Sequence, residues 1–172
     1  MEIRLDRIAV GIEKYNWIMK QVHKVDVSTD TAFQKVFNGF YRMRQRPADF
    51  YKCYYTYLEA NKTNHEITFE DILTHLYQVT GSIHASFSSK LLATINPNKP
   101  IWDRFVLQNL GLRVPYYYEK DRLQKTIRLY QQICDWYRSE EAFRKLQQFN
   151  ELFPNVNISD VKKIDFVLWA TR

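Results

Sequence analysis

The sequence contains few residues of the types that interrupt or cross-link a chain. Its 172 residues include 4 glycines, 5 prolines and 2 cysteines. With so few turn-forming residues, and apolar residues recurring at helical spacing, the sequence predicts an all-α fold. No linker is long enough to separate domains, so we expect a single domain over residues 1–172. Cys53 and Cys134 form no CxxC pair, which excludes a disulfide framework.

Several motifs that would indicate a cofactor or a membrane location are missing. There is no GxGxxG or GxxxxGK[ST], so we expect no nucleotide cofactor, and no HExxH or Cys/His cluster, so we expect no metal site. No apolar run approaches the roughly 18 residues of a membrane span. Charged residues from Arg4 to Glu13 interrupt the first apolar positions, unlike a secretory signal, so we expect a cytoplasmic protein without a membrane partner.

Aromatic residues are abundant, at 16% of the chain, and apolar residues make up 45%. Their spacing predicts about eight helices. The most distinct signals are the capping-box pattern TFED that begins a helix at Thr68, the glycine that ends it at Gly81, and the serine cap of the last helix at Ser159. Asp165 shares a face of that last helix with apolar residues, so we expect it to be partly buried and to pair with a basic residue.

The charge distribution predicts an anionic partner. The formal charge is +6, and residues 87–172 hold 14 basic against 9 acidic side chains. A second basic segment, residues 35–52, has Asp49 as its one acidic residue beside Lys35, Arg42, Arg44, Arg46 and Lys52. Clustered Lys and Arg residues attract phosphates and release counterions on binding. We therefore expect an anionic partner that carries phosphates, although a solvated basic loop without a partner is the alternative reading of this segment.

Residues 80–110 are the most informative segment of the chain. They run TGSIHASFSSKLLATINPNKPIWDRFVLQNL, which predicts a helix end, a glycine turn, a helix with Lys90, and a proline-bounded loop that ends at Asp103. This order resembles the helix-hairpin-helix DNA glycosylase superfamily, in particular proteins of the 8-oxoguanine glycosylase fold. The SKLL, NP and PIWD elements and the closing DVKKIDFVLWATR are similar to uncharacterised bacterial and phage-associated relatives.

The resemblance implies a DNA repair hydrolase that cleaves the N-glycosidic bond of a damaged or modified base. Lys90 would be the nucleophile, since a lysine can attack the sugar carbon and form a Schiff base, and Asp103 would stabilise the positive charge on the sugar or orient water. The hairpin would contact the DNA backbone at Gly81. Phosphate contacts are expected from Arg42, Arg44, Arg46, Lys99, Arg104 and Arg113, and a base pocket from Trp102, Tyr116, Tyr117 and Tyr118.

Two alternatives belong to other functional classes. One is a non-catalytic nucleic-acid-binding protein of the same fold, for example in phage defence, which would keep the basic surface without bringing Lys90 and Asp103 together. The other is a helical protein-interaction module, whose aromatic residues would form an exposed apolar patch.

Overall fold

The computed structural model describes residues 4–170, and these residues contain nine helices and no strand. The helices are α1 (Leu5–Gln21), α2 (Thr31–Phe40), α3 (Ala48–Asn61), α4 (Phe69–Thr80), α5 (Ala85–Ile95), α6 (Arg104–Asn109), α7 (Arg122–Trp136), α8 (Glu140–Leu152) and α9 (Asp160–Ala170). The all-α prediction is confirmed.

Side-chain caps define several helix ends where the sequence predicts them. Thr68 and Asp71 form a reciprocal capping box at the start of α4, and Gly81 ends that helix in the left-handed conformation at φ 73°. The Ser159 hydroxyl accepts a hydrogen bond from the Lys162 N–H in the first turn of α9. These contacts satisfy backbone groups that a helix end would otherwise leave unpaired.

Three helices begin later than their sequence patterns suggest. The first part of the predicted fifth helix, from Ser82, is a turn, and α5 starts after His84. The sequence pattern predicts a helix from about Glu119, but α7 starts at Arg122 because Asp121 has φ 60°, which a right-handed helix cannot include. The pattern also predicts a helix from near Pro100 with Asp103 in its first turn, but Asp103 is the N-cap of α6, and its carboxylate accepts a hydrogen bond from the Phe105 N–H at 2.8 Å.

Two groups of buried side chains hold the helices together. The larger group joins residues from α1 to α9 around aromatic side chains such as Phe37, Tyr54 and Tyr55. The smaller group lies between α1, α8 and α9 and includes Ile12, Phe149 and Phe166. Helix α9 contributes to both groups, so it links them. No helix within residues 4–170 has the length and apolar character needed to cross a bilayer.

Candidate active site

A cavity of about 550 Å³ lies between α1, the end of α2, α5, the start of α6 and α9. We call it the lysine cavity because Lys90 lines it, together with Asp103. Aromatic side chains supply much of the remaining wall, namely Phe40, Tyr41, Phe105, Phe166 and Trp169. The structure therefore brings the two predicted catalytic residues into one cavity.

Lys90 is held in an environment that is poor in water. Its side chain is 8% exposed, and its Nζ donates a hydrogen bond of 2.9 Å to the backbone carbonyl of Tyr41. The same Nζ lies 5.3 Å from the centroid of the Phe87 ring. One carbonyl and one aromatic face solvate an ammonium group far less well than water does.

Burial is the main cause of a low pKa at Lys90. Desolvation, opposed by the negative charge of Asp103 and assisted by the positive charges of Lys162 and Arg42, lowers the pKa of Lys90 to about 8. At pH 7.5 roughly a quarter of such lysines carry a neutral amine, against about one in a thousand at the ordinary pKa. A neutral amine is the nucleophilic form.

The loop before α6 is fixed to α5 next to Lys90. The Trp102 N–H donates to the Ser89 hydroxyl at 2.7 Å, and the Tyr130 hydroxyl donates to the Pro100 carbonyl at 2.7 Å. Because Ser89 and Trp102 directly precede Lys90 and Asp103, this contact places the amine and the carboxylate at the same wall. Local hydrogen bonds therefore maintain their relative position.

A second cavity, of about 630 Å³, opens beside the turn between α4 and α5, and we call it the hairpin cavity. Gly81, His84, Arg46, Arg122 and Tyr117 are among its lining residues. His84 begins α5 without a side-chain cap for the helix, and burial together with the charge of Arg46 lowers the pKa of His84. The hairpin cavity thus combines two arginines and the N-terminal end of α5 with two acidic residues, Glu119 and Asp121, whose formal charges balance those of the arginines.

The predicted phosphate-binding residues are spread over both cavities and beyond. Arg42 and Arg104 line the lysine cavity, and Arg46 lines the hairpin cavity. Arg44 is exposed without lining either one, and Lys99 is half-buried in the loop after α5. These five residues therefore share no single site in the part of the chain described.

Arg113 lies apart from these basic residues and is already engaged. Its guanidinium stacks on the Tyr116 ring at 4.2 Å and lies 3.5 Å from the Glu119 carboxylate. It lines neither cavity among residues 4–170.

The predicted base-pocket aromatics do not line the lysine cavity in the described residues. Trp102 is 5% exposed and stacks on Phe69 in the core, with ring planes 7° apart. In an extended segment alternate side chains share a side, so Ile101 and Asp103 face the cavity while Trp102 points away from it. The tyrosines at 116–118 are exposed, and Tyr117, at 86%, borders the hairpin cavity.

The sequence analysis missed the residues that α1 and α9 contribute to the lysine cavity. Arg7 and Lys14 line it from α1, and Phe166 and Trp169 line it from α9. No local pattern marks these positions, since tertiary packing alone brings the two helices together. Comparison with protein-family models, curated proteins and solved structures finds no match to this chain.

Proposed function

We propose that this protein is a DNA N-glycosylase in which Lys90 is the nucleophile and Asp103 assists. The observation that carries the proposal is the buried Lys90 amine sharing a cavity with the Asp103 carboxylate. A lysine with a lowered pKa beside a carboxylate in a cleft is a typical arrangement for covalent catalysis through an imine.

In the proposed reaction the neutral Lys90 amine attacks C1′ of a deoxynucleotide. The glycosidic bond breaks, and the base leaves with the bonding electron pair and takes up a proton. Asp103 stabilises the positive charge that develops on the sugar, and accepts a proton from the attached amine. The nitrogen lone pair then forms a double bond to C1′ as the C1′–O4′ bond breaks, and O4′ takes the proton back from Asp103. Water hydrolyses the resulting protonated imine between Lys90 and C1′ to an abasic site and free lysine.

The size and lining of the lysine cavity support a base as its occupant. A cavity of about 550 Å³ lies within the usual range for small-molecule sites, roughly 300 to 1,000 Å³. An extruded base is held by stacking on aromatic side chains. In this proposal Phe40, Phe105 and Trp169, which line the cavity, take the role that the sequence analysis gave to Trp102 and the tyrosines.

Basic residues around both cavities would bind the DNA backbone. Arg42 and Arg104 are exposed at the lysine cavity, and Arg46 and Arg122 line the hairpin cavity with Gly81. Lys90 lies six residues after His84, or about 9 Å along α5, so one helix connects the two cavities. A strand gripped at the hairpin cavity could thus present a nucleotide to Lys90.

The proposal is tested by borohydride trapping on duplexes that carry oxidised, deaminated, alkylated or abasic sites. Wild type is compared with Lys90→Gln and Asp103→Asn, and Lys99→Gln is the control for a lysine outside the cavity. A Gly39→Phe variant fills the lysine cavity, because Gly39 lines it and no atom lies within 4 Å of the position that its Cβ would occupy. Alkali-induced strand scission is measured in parallel.

We expect a trapped adduct in wild type and Lys99→Gln, no adduct in Lys90→Gln or Gly39→Phe, and reduced base release in Asp103→Asn. If no duplex gives a trapped adduct or strand scission but binding remains salt-dependent, the result would instead favour the non-catalytic DNA-binding protein. If the protein neither reacts with nor binds any duplex, the result would favour the interaction module.

A further inference from the structure

A fully buried ion pair lies in α9, close to the lysine cavity. Lys162 and Asp165 are both 0% exposed, and Lys162 Nζ lies 2.8 Å from Asp165 Oδ2. The Tyr137 hydroxyl donates a hydrogen bond to the other carboxylate oxygen, Oδ1. Both oxygens of the Asp165 carboxylate thus accept a hydrogen bond, and Lys162 is its counter-ion, although burial raises the pKa of Asp165.

Aromatic rings surround the ammonium group of this pair. Lys162 Nζ lies 5.2 Å from the ring centroid of Tyr15, 5.6 Å from that of Tyr41 and 5.3 Å from that of Trp169. Burial is the largest single influence and would lower the pKa of Lys162, but the charge and hydrogen bond of Asp165, together with Tyr41 and Tyr15, outweigh it and raise that pKa. The lysine therefore stays cationic in the core.

Tyr41 connects the buried ion pair with the nucleophile. Its backbone carbonyl accepts the hydrogen bond from Lys90 Nζ, and its ring faces Lys162 Nζ. Tyr41 and Trp169 also line the lysine cavity. Two lysine side chains from α5 and α9 thus approach the same residue, one toward its backbone and the other toward its ring.

We propose that Lys162 is a positioning residue for the proposed reaction, a fixed cation behind the cavity wall that increases the share of Lys90 in the neutral, nucleophilic form. The inference rests on the proposed function only in one respect, namely that the neutral Lys90 amine attacks the sugar carbon. A pair of apolar residues would fill the same volume with no charge to desolvate, so a buried ion pair at this position needs a reason beyond packing.

The charges that face Lys90 come from three other parts of the chain. Asp103, before α6, favours the ammonium form, whereas Lys162 in α9 and Arg42 after α2 disfavour it. Arg42 is exposed and therefore screened by solvent and salt, while Lys162 is not. Of the two cations that lower the pKa of Lys90, Lys162 contributes more than Arg42.

The test replaces the ion pair by neutral pairs and measures the reactivity of Lys90 itself. The variants are Lys162→Met/Asp165→Leu, which is apolar, and Lys162→Gln/Asp165→Asn, which keeps an acceptor for Tyr137. Lys162→Arg is the control that retains the cation. Each folded protein is reductively methylated with formaldehyde and borohydride from pH 6 to 10, and peptide mass spectrometry measures Lys90, with exposed Lys20 as the internal reference.

We expect the pH midpoint for Lys90 to rise in both double variants, by half a unit or more, so that its methylation at pH 7 falls by about threefold or more. Lys162→Arg should keep the wild-type profile. An unchanged or lower midpoint in whichever double variant folds would overturn the inference about Lys162. Because the readout needs no DNA, it is independent of the trapping experiment, and failure of one leaves the other interpretable.

Discussion

The Lys90 amine lies where a positive charge is poorly solvated, and this has a consequence for stability. Its pKa of about 8 in the folded protein lies below the ordinary value of 10.5. Between these two pH values the unfolded chain binds more protons than the folded one, so stability rises as the pH increases through that interval. Below about pH 8 the buried charge destabilises the fold by up to about 3 kcal/mol.

Replacing this lysine should therefore stabilise the protein at neutral pH. We expect Lys90→Met to raise the free energy of unfolding by about 1–3 kcal/mol at pH 7, and by less than about 1 kcal/mol at pH 10.5. Urea denaturation of wild type and variant at both pH values measures the difference. A variant that is less stable than wild type, by the same amount at both pH values, would contradict the burial of a charge at Lys90.

The backbone of Arg42 has a left-handed conformation that glycine adopts with less strain. It has φ 54°, and it follows the C-cap of α2 in a turn where the Met43 N–H donates to the Asn38 carbonyl at 2.9 Å. Glycine is the usual residue at this left-handed position. We expect Arg42→Gly to stabilise the fold by about 0.5–1 kcal/mol while weakening DNA binding.

The control for this prediction is Arg44→Gly, which removes the same charge from a residue without a positive φ. Thermal melting and fluorescence anisotropy on a labelled duplex give stability and affinity. If both glycine variants melted at the same temperature, strain at Arg42 would not be the cause.

At the scale of elements, α1 and α9 approach each other closely at a glycine. A Cβ atom at Gly11 would lie 2.7 Å from Phe166 Cε1, and Phe166 is buried among other aromatic rings. We expect Gly11→Ala to destabilise the protein by about 1–3 kcal/mol, because the Phe166 ring would have to shift away from the rings that it packs against. Gly39→Ala is the matched control, because nothing lies within 4 Å of the added methyl group.

Gly39 lies inside α2, so its replacement by alanine should be neutral or stabilise the fold by up to about 1 kcal/mol. Chemical denaturation of both variants checks the pair. Equal losses at Gly11 and Gly39 would mean that the glycines act through helix propensity and not through the contact with Phe166.

Elements could be predicted from the sequence where their signals are local. The capping box at Thr68 and Asp71 and the glycine end at Gly81 depend on residues a few positions apart, and the structure has them where the pattern predicts. The start of α7 could not be predicted, because Glu119 lies before the helix and its carboxylate accepts hydrogen bonds from the Tyr116 N–H and from Lys125 of α7. The spacing of charges does not indicate whether an acidic residue lies in the first turn of a helix or accepts hydrogen bonds in the loop before it.

The candidate site was only partly predictable, because local sequence patterns do not show which distant residues pack together. Lys90 and Asp103 were identified through a pattern within one short segment, whereas Phe40, Phe166 and Trp169 join them from distant parts of the chain. Asp165 was expected to be buried with a basic partner, and the structure shows Lys162, three residues before it, in that role. A lysine and an aspartate three apart in a largely apolar run are the signal that could have identified this pair.

At the scale of the whole molecule, DNA binding should depend on the cavity-lining arginines more than on the net charge of +6. We expect the triple variant Arg42→Gln, Arg46→Gln, Arg104→Gln to reduce the slope of log affinity against log salt by about 2–3, because each phosphate contact contributes about 0.9. Affinity measured between 50 and 200 mM salt provides the slope.

The matched control replaces three exposed arginines that line neither cavity, Arg128, Arg138 and Arg144, with glutamine. The two triple variants therefore have the same net charge. Its slope should stay close to that of wild type. Equal reductions in the two triple variants would mean that DNA responds to overall charge and not to the two cavities.

The position of α9 also bears on when the chain becomes reactive during its synthesis. Helix α9 carries Lys162 and supplies Phe166 and Trp169 to the lysine cavity, and it is synthesised after the other eight helices of residues 4–170. Until it docks, Lys90 is an ordinary solvated lysine, almost entirely protonated at neutral pH. Lys90 of a chain in which α9 has not docked is therefore expected to react with aldehydes no faster than an exposed lysine such as Lys20, and its added reactivity would report docking of the helix.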